Sequence, residues 1–198
     1  ENGIEHYFQA GDVHFDDLTG DSIINDADKQ IIGDPNPDFY GSFNSKVIIG
    51  NFTINLLFNF SYGNDIYNYL RSEMEAGDSF FNQTTAMLNR WSYEGQETNQ
   101  PKAVYGDPMG NNRFSDRWIE DGSFLKLKSF SVNYRVPLKN KIIQGLNVWI
   151  AANNLFTLTK YLGRDPEVSV NNGVLYQGID AGLLPLNKGF YLGLKLNL

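Results

Sequence analysis

Apolar and polar residues alternate over long runs of this chain. The clearest run covers residues 51–62, and its apolar positions are Phe52, Ile54, Leu56, Phe58 and Phe60. A period of two places successive side chains on opposite faces of a β-strand. Sustained over such a length, the pattern is typical of a strand with one face against lipid and the other against water.

The same alternation predicts five strands. Their ranges are 38–48, 51–62, 123–136, 145–156 and 188–198. The apolar faces predicted for the last three comprise Phe130, Val132, Tyr134 and Val136; then Leu146, Val148, Ile150 and Ala152; then Phe190, Leu192, Leu194, Leu196 and Leu198. Each of the five strands therefore offers an apolar face of similar length.

The connections between the predicted strands alternate in length. Those at 49–51 and 137–144 are short, whereas those at 63–122 and 157–187 are long. Outer-membrane barrels have short periplasmic turns and long extracellular loops, and a strand of about eleven residues tilted by about 40° rises roughly 27 Å, close to their apolar band. The pattern predicts an all-β fold, namely an antiparallel transmembrane β-barrel segment with long extracellular loops.

The long connection at 63–122 is predicted to contain short helices. Residues 65–77 and 82–91 lack internal proline and contain good helix formers. Four aromatic residues of this connection are candidates for contact with a substrate or a lid: Trp91, Tyr93, Tyr105 and Trp118. The alternative for each is loop packing or an aromatic girdle at the membrane interface.

Composition excludes several classes of protein. The 198 residues carry a formal net charge of -7, which argues against binding to nucleic acid. The absence of cysteine excludes disulfides, thiolate zinc sites and a cysteine nucleophile. No run of 18 uncharged apolar residues predicts a membrane-spanning helix. The mean hydropathy of -0.36 is compatible with strands that alternate apolar and polar faces.

Residues 17–28 have the spacing of an oxygen-ligand loop for a hard cation. In the twelve-residue calcium scheme the ligands stand at positions 1, 3, 5, 7, 9 and 12. Here these positions hold Asp17, Thr19, Asp21, Ile23 through its main-chain carbonyl, Asn25 and Asp28. The neutral Thr19 and a serine at the usual glycine position, Ser22, depart from the scheme. The sequence predicts a structural Ca²⁺ site, and the alternative is a turn capped by Asx hydrogen bonds.

Catalytic arrangements are weak in this sequence. His14 has no nucleophile motif of the G-x-S-x-G type to accompany it, and no nucleotide-binding loop is present. The pairs Glu120/Asp121 and Asp165/Glu167 have the residue types that glycoside hydrolysis requires. Acidic loop residues are more often solvated turn formers, so the chain is interpreted as not an enzyme.

Longer phrases resemble a known family. The run GDVHFDDLTGDSIINDADKQIIGDPNPDFYGSFN at 11–44 and the phrases at 59–68, 115–137 and 153–168 resemble SusC/RagA-type TonB-dependent outer-membrane transporters. Among them are SDRWIEDGSFLKLK and NNLFTLTKYLGRDPEV. The closing run GIDAGLLPLNKGFYLGLKLNL resembles the family's last strand, although Leu198 stands where an aromatic residue is expected.

The resemblance implies a barrel of about 22 strands with an N-terminal plug. Residues 1–198 would be its C-terminal portion, with the last five strands and without the plug. It implies active import of oligosaccharides or oligopeptides across the outer membrane of a Gram-negative, Bacteroidetes-type cell, with a SusD-like surface lipoprotein as lid and TonB as energy source. The polar strand faces would line the lumen through Asn55, Asn59, Asn133, Arg135, Asn147 and Asn153.

A soluble, calcium-stabilised β-sandwich that binds carbohydrate is the alternative function. It explains the aromatic residues and the cation loop, but not five apolar faces of membrane length. Five strands are too few to close a barrel. The barrel interpretation therefore predicts that Phe39 and Leu192 border strands supplied by the remainder of the same barrel, and that the chain is ordered only beside them.

Overall fold

The computed structural model describes residues 7–138, 143–167, 169–170 and 173–197, and its regular structure is mostly β-strand. The strands are β1 Phe39–Ile49, β2 Phe52–Tyr62, β3 Asp65–Asn68, β4 Ile119–Asp121, β5 Phe124–Val136, β6 Gly145–Asn153, β7 Thr157–Thr159, β8 Ile179–Asp180 and β9 Gly189–Asn197. The α-helix α1 spans Tyr69–Met74. Short 3₁₀ helices cover Asp26–Asp28, Thr85–Asn89, Asp116–Trp118 and Val174–Tyr176.

The five long strands form one sheet in the order β1–β2–β5–β6–β9, and every neighbouring pair is antiparallel. The predicted all-β, antiparallel architecture is therefore confirmed. Strands β1 and β2 are joined by Gly50 and Asn51 alone. Gly50 has a φ of 57°, as the first central residue of a type II′ hairpin turn requires.

The register gathers the apolar residues of all five strands on one face. Phe52, Ile54 and Leu56 of β2 pair with Tyr134, Val132 and Phe130 of β5. The same row continues into β6 through Val148, Ile150 and Ala152. In β9 it continues through Leu194, Leu192 and Phe190. The faces predicted from the period of two are thus confirmed for the described residues, whereas Leu198 lies outside them.

The apolar face of this sheet is uncovered. Phe190 and Leu192 in β9 are each 76% exposed, and Phe43 in β1 is 61% exposed. The buried hydrophobic residues of the described chain instead lie mainly in the connections, as with Met87 and Trp118. No second sheet packs on the apolar face within the residues that the structure describes. A β-sandwich would bury that face, so the arrangement favours the barrel wall.

A β-bulge in β5 changes which residues share a face. Leu57 pairs with Ser129 and Phe58 pairs with Leu127, so Lys128 is an extra residue between them. On the other side, Asn154 has a φ of 52° and donates its N–H to the Lys128 carbonyl. This interruption separates β6 from β7, which is why the strand predicted at 145–156 ends at 153.

A smaller sheet lies at the long-loop end. Strand β3 is antiparallel to β4 and parallel to β8. The helix predicted at 65–77 is wrong in its first part, because residues 65–68 are β3 and only Tyr69–Met74 are helical. Ile66 is buried, and the next residue, Tyr67, is paired with both β4 and β8, so tertiary packing outweighs helix propensity there. The helix predicted at 82–91 is reduced to the 3₁₀ helix Thr85–Asn89.

Across the ranges given above, no helix is both long enough and apolar enough to span a lipid bilayer.

Candidate functional site

A cluster of four charges joins the polar side of β5 to the connection at 157–187. The Nζ atom of Lys126 lies 2.6 Å from Asp165 Oδ1 and 2.7 Å from Glu167 Oε2. Lys128, the bulge residue, lies 3.1 Å from the same Glu167 oxygen. We call Lys126, Lys128, Asp165 and Glu167 the wall cluster. It fixes the long connection against the strand that forms the centre of the sheet.

Burial and ion pairing shift the pKa values of the two carboxylates of the wall cluster in opposite directions. Burial alone would raise the pKa of Asp165, but the hydrogen bond from Lys126 and the N–H groups of Glu167 and Leu186 outweigh it, and the pKa is lowered. The pKa of Glu167 is lowered against the same effect of burial by Lys126 and Lys128. Both acids are therefore ionised partners of the lysines at neutral pH. The interpretation of these acids as solvated turn formers is wrong.

A second polar cluster lies among the connections. Arg71 of α1 approaches Glu120 at 2.7 Å and Glu75 at 3.5 Å. Glu75 also accepts a hydrogen bond from Gln100 at 3.0 Å. The guanidinium of Arg71 lies over the Trp118 ring, 5.1 Å from its centroid. These contacts bind α1, β4 and the chain near residue 100 into one core.

Tyr161 extends this core toward β8. Its hydroxyl donates to Asp180 at 2.6 Å, and both residues are buried. Burial, followed by the hydrogen bond to Asp180, raises the pKa of the Tyr161 hydroxyl, so it stays protonated and acts as a donor. The pairing ties the connection at 157–187 to the smaller sheet.

A groove of about 360 Å³ opens between residues 11–13 and 91–101. Trp91 forms part of its wall, and Arg117 also lines it. Asp12 borders the groove, but its carboxylate is paired with Lys102 at 3.0 Å and accepts from Asn111 at 2.9 Å. The groove therefore combines an aromatic ring with a guanidinium.

The predicted cation loop places two of its carboxylates together. The Oγ1 of Thr19 lies 3.2 Å from both Asp17 Oδ1 and Asp28 Oδ1. Asp21 accepts from the N–H of Ile23, and Asn25 accepts from the N–H of Ala27. Ile23 is exposed, and Asn25 caps the 3₁₀ helix Asp26–Asp28. The loop is thus closed by Asx hydrogen bonds in this conformation.

Within the described residues, no group of three or more acidic or histidine side chains is arranged to hold a metal. The N–H groups of Ser22 and Gly20 lower the pKa of Asp17, and those of Asn25 and Thr19 lower the pKa of Asp28, so both carry negative charge at neutral pH. Anionic oxygens beside one another suit a hard cation. Ca²⁺ at this loop stays a prediction.

The four aromatic candidates have different surroundings. Trp91 is half-buried in the wall of the groove, and Tyr93 is exposed. Tyr105 is exposed and stacks on Phe80 with 5.4 Å between ring centroids. Trp118 is 0% exposed, so the structure places it in the core rather than on a ligand-binding surface. Substrate contact by Trp91, Tyr93 and Tyr105 stays a prediction, whereas the position of Trp118 favours loop packing.

Other candidates from the sequence are dispersed. His14 is exposed and lies 3.9 Å from Asp16. Glu120 is ion-paired with Arg71. The neighbouring Asp121 is exposed and accepts a hydrogen bond from the N–H of Ser123. These groups do not form an acid–base pair in a shared cleft.

The known proteins whose sequences are similar to this chain are TonB-dependent receptors. No protein-family profile matches the chain. The TonB-dependent receptor P3 of Formosa agariphila is 35% identical over 190 residues, which are 92% of this chain and 18% of that receptor. The TonB-dependent receptor SusC of Bacteroides thetaiotaomicron is 27% identical over 187 residues, which are 92% of this chain and 17% of SusC.

Solved structures agree with the sequence relatives. A structure of the RagAB peptide transporter is 27% identical, has a TM-score of 0.68 and covers 82% of this chain and 17% of that chain. The RagAB peptide importer in its "closed-closed" state is 26% identical, with a TM-score of 0.72, and covers 87% of this chain and 19% of that chain. The proteins similar to this chain are thus TonB-dependent receptors, with SusC and RagAB among them, and the chain corresponds to a partial region of such a receptor. It spans 17% to 20% of the length of the curated relatives that it matches.

The similarity to these receptors explains why the main sheet has one apolar and one polar face. In a SusC/RagA-type receptor, the five long strands are a segment of the β-barrel, as the sequence predicted. The polar face predicted to line the lumen is continuous, because Thr53, Asn55 and Asn59 pair with Asn133, Ser131 and Lys126. Asn55 donates to Ser131 at 3.1 Å. The wall cluster extends from this polar face.

The wall cluster was not among the sites predicted from the sequence. The phrases SFLKLK and GRDPEV were both noted for their resemblance, but Lys126 and Asp165 are 39 residues apart. The sequence did contain a signal for it: the predicted strand at 123–136 includes two lysines, and lysines on the polar face of a strand need carboxylate partners. The acids could not be matched to them without the fold of the connection.

Proposed function

We propose that this chain forms part of the wall and the extracellular loops of an active importer in the outer membrane. The single observation that supports this most directly is the uncovered apolar face of the main sheet, with polar residues on the other face. Lipid would cover the apolar face, and the lumen would hydrate the polar one. Catalysis has no part in this proposal.

The remainder of the same barrel is proposed to flank both sides of the segment. In the described part of the chain, β1 pairs only with β2 and β9 pairs only with β6. Their outer edges hold unpaired backbone groups, which lipid cannot satisfy. This supports the proposal that residues 1–198 are the C-terminal portion of a longer receptor, with Phe39 and Leu192 beside further strands.

Oligopeptides are the first proposed substrate, and oligosaccharides are the alternative. The RagAB structures are described as a peptide transporter and a peptide importer, which supports peptides here. A SusD-like lipoprotein is proposed to cover the long-loop end. Exposed aromatic residues there, including Phe80, Phe81 and Tyr105, are suitable contacts for a protein lid. TonB is proposed to supply energy through another part of the receptor.

Uptake by cells tests the proposed function. Cells with and without the intact receptor would be given a mixture of fluorescent oligopeptides and oligosaccharides, with and without an uncoupler of the inner-membrane potential. We expect receptor-dependent accumulation of one substrate class, abolished by the uncoupler. Recovery of the receptor from the soluble fraction, or equal accumulation in cells that lack it, would contradict the proposal.

A further inference from the structure

The groove between residues 11–13 and 91–101 contains a cation without a direct carboxylate partner. Arg117 enters the groove lining from the 3₁₀ helix Asp116–Trp118. Its Nη2 donates to Gln100 Oε1 at 2.6 Å, and the guanidinium lies 4.2 Å from the Trp118 ring centroid. Its Nη1 is buried and has no hydrogen-bond partner among the described residues.

Other buried cations of the described chain are paired differently. Lys126, Lys102 and Arg71 each lie within 3.0 Å of a carboxylate oxygen. In the described ranges, no carboxylate oxygen lies within 4.0 Å of the Arg117 guanidinium, which is the distance limit for an ion pair. The charge of Arg117 is therefore not neutralised by a direct ion pair, and an anion that enters the groove lined by Arg117 would supply one.

Arg117 remains a cation in these surroundings. Burial lowers the pKa of its guanidinium to about 10, with Arg71 acting in the same direction and Glu75 and Asp107 opposing. At neutral pH the group is still protonated. Asp12 also borders the groove, but Lys102 and Asn111 already engage its oxygens. The charge left for a ligand is therefore positive.

Three of the four neutral polar side chains that line the groove, Gln96, Thr98 and Gln100, are already engaged, and the fourth, Asn99, is exposed. Gln96 Oε1 accepts from the N–H of Ser92 at 2.7 Å, and Thr98 donates to the carbonyl of Asn89 at 2.6 Å. Gln100 is bonded to both Glu75 and Arg117. A sugar ring needs several free donors and acceptors for its hydroxyls, whereas a carboxylate beside an apolar stem needs one cation and an apolar wall. The groove matches the second description.

The geometry points to a subsite for the C-terminal carboxylate of an oligopeptide, which Arg117 holds while the apolar side chain of the same peptide residue lies against Trp91. The inference rests on the proposed function for the choice of a peptide as the substrate. It adds to that function a residue-level preference for peptides with a free C-terminal carboxylate.

Binding to the intact receptor purified in detergent tests the subsite. The probes are one short alanine-rich peptide with a free C-terminal carboxylate, the same peptide as its C-terminal amide, and trigalacturonate as an acidic sugar. We expect the amide to bind at least tenfold more weakly than the acid, because it lacks the charge for Arg117. The preference should vanish in Arg117→Gln and persist in Arg113→Gln, which removes an exposed arginine outside the groove.

A groove-filling variant covers the case in which Arg117→Gln fails to fold. Asn99 is exposed at the groove, and Asn99→Trp would fill it while leaving Arg117 intact. It should abolish the preference for the acid. Equal binding of acid and amide, a preference unchanged in Asn99→Trp, or tighter binding of trigalacturonate than of the peptide acid would overturn the inference. If the acid preference is found but cells import no peptide, the proposed function fails and the subsite stands.

Discussion

Lys126 Nζ lies 2.6 Å from Asp165 Oδ1, and each side chain is almost completely buried. The lysine comes from the central strand β5, and the aspartate comes from the connection that follows β7. Glu167 adds a second carboxylate at 2.7 Å. This contact fixes the long connection at 157–187 to the central strand of the main sheet.

Removal of the lysine of this pair should release the connection. Lys126→Met leaves Asp165 buried without its cation, and breaking a buried pair in this way costs about 3–5 kcal/mol. We expect rapid proteolysis within residues 157–187 of the intact receptor, with the barrel retained. The matched control is Lys128→Met, because that side chain is more exposed and Glu167 keeps Lys126 as its partner. Similar protection of both variants would show that the pair does not anchor the loop.

Acidification should release the same connection. The pKa values of Asp165 and Glu167 are lowered in the folded chain, so their pairing stabilises the loop at neutral pH. This stabilisation is present above the ordinary carboxyl pKa of about 4 and is lost as pH falls through the lowered values. A spin label at Leu162→Cys, an exposed position, should become more mobile only below about pH 4.

The comparison for this titration is a label on the β1–β2 turn at Asn51→Cys, which has no wall-cluster contact. Its mobility should stay constant over the same pH range. Loosening of the Leu162 label above pH 5 would contradict the assigned pairing.

The cation loop should bind Ca²⁺ through Asp17 and Asp28. Terbium luminescence on the intact receptor should show a Ca²⁺-displaceable signal that Asp28→Asn reduces at least tenfold, because that change removes an anionic ligand. Asp26→Asn is the matched control, since Asp26 is paired with Lys29 and lies outside the ligand positions. An equal effect of the two changes would rule out the predicted site.

Ser22 is a strained position in that loop. Its φ of 65° lies in the left-handed region, where a non-glycine residue costs roughly 1 kcal/mol. Ser22→Gly should therefore stabilise the closed loop, measured as slower hydrogen exchange at the Asp17-bonded N–H groups of residues 20 and 22. Faster exchange in the variant would count against this interpretation.

A glycine on the polar face of the sheet should be intolerant of side chains. Gly193 of β9 lies opposite Trp149 of β6, and a Cβ at this glycine would overlap the indole ring. We expect Gly193→Ala to lower the stability of the receptor by about 1–3 kcal/mol, as overpacking does. The double variant Gly193→Ala with Trp149→Ala should lose less stability than the sum of the losses of the two single variants. Additive losses in thermal unfolding would exclude this contact as the cause.

The strands were predictable because their signal is local. A period of two reports directly which residues of β2 and β9 share a face, and the register confirms it. The β-strand at residues 65–68 was not predictable, because its pairing partners lie far away in the sequence. Burial of Trp118 and pairing of Lys126 with Asp165 depend in the same way on how two long connections fold over one another.

Lipid exposure of the main sheet is the most direct test of the account. The chain has no cysteine, so single cysteines at residues 53–60 of β2 can each receive a spin label in the intact, membrane-embedded receptor, provided that the rest of the receptor is also free of cysteine. Collisions with oxygen, which is concentrated in lipid, should peak at residues 54, 56, 58 and 60, and collisions with a water-soluble nickel complex should peak at the residues between them. Uniformly low accessibility to both reagents at 54, 56, 58 and 60 would mean that protein covers this face, and it would contradict the barrel wall.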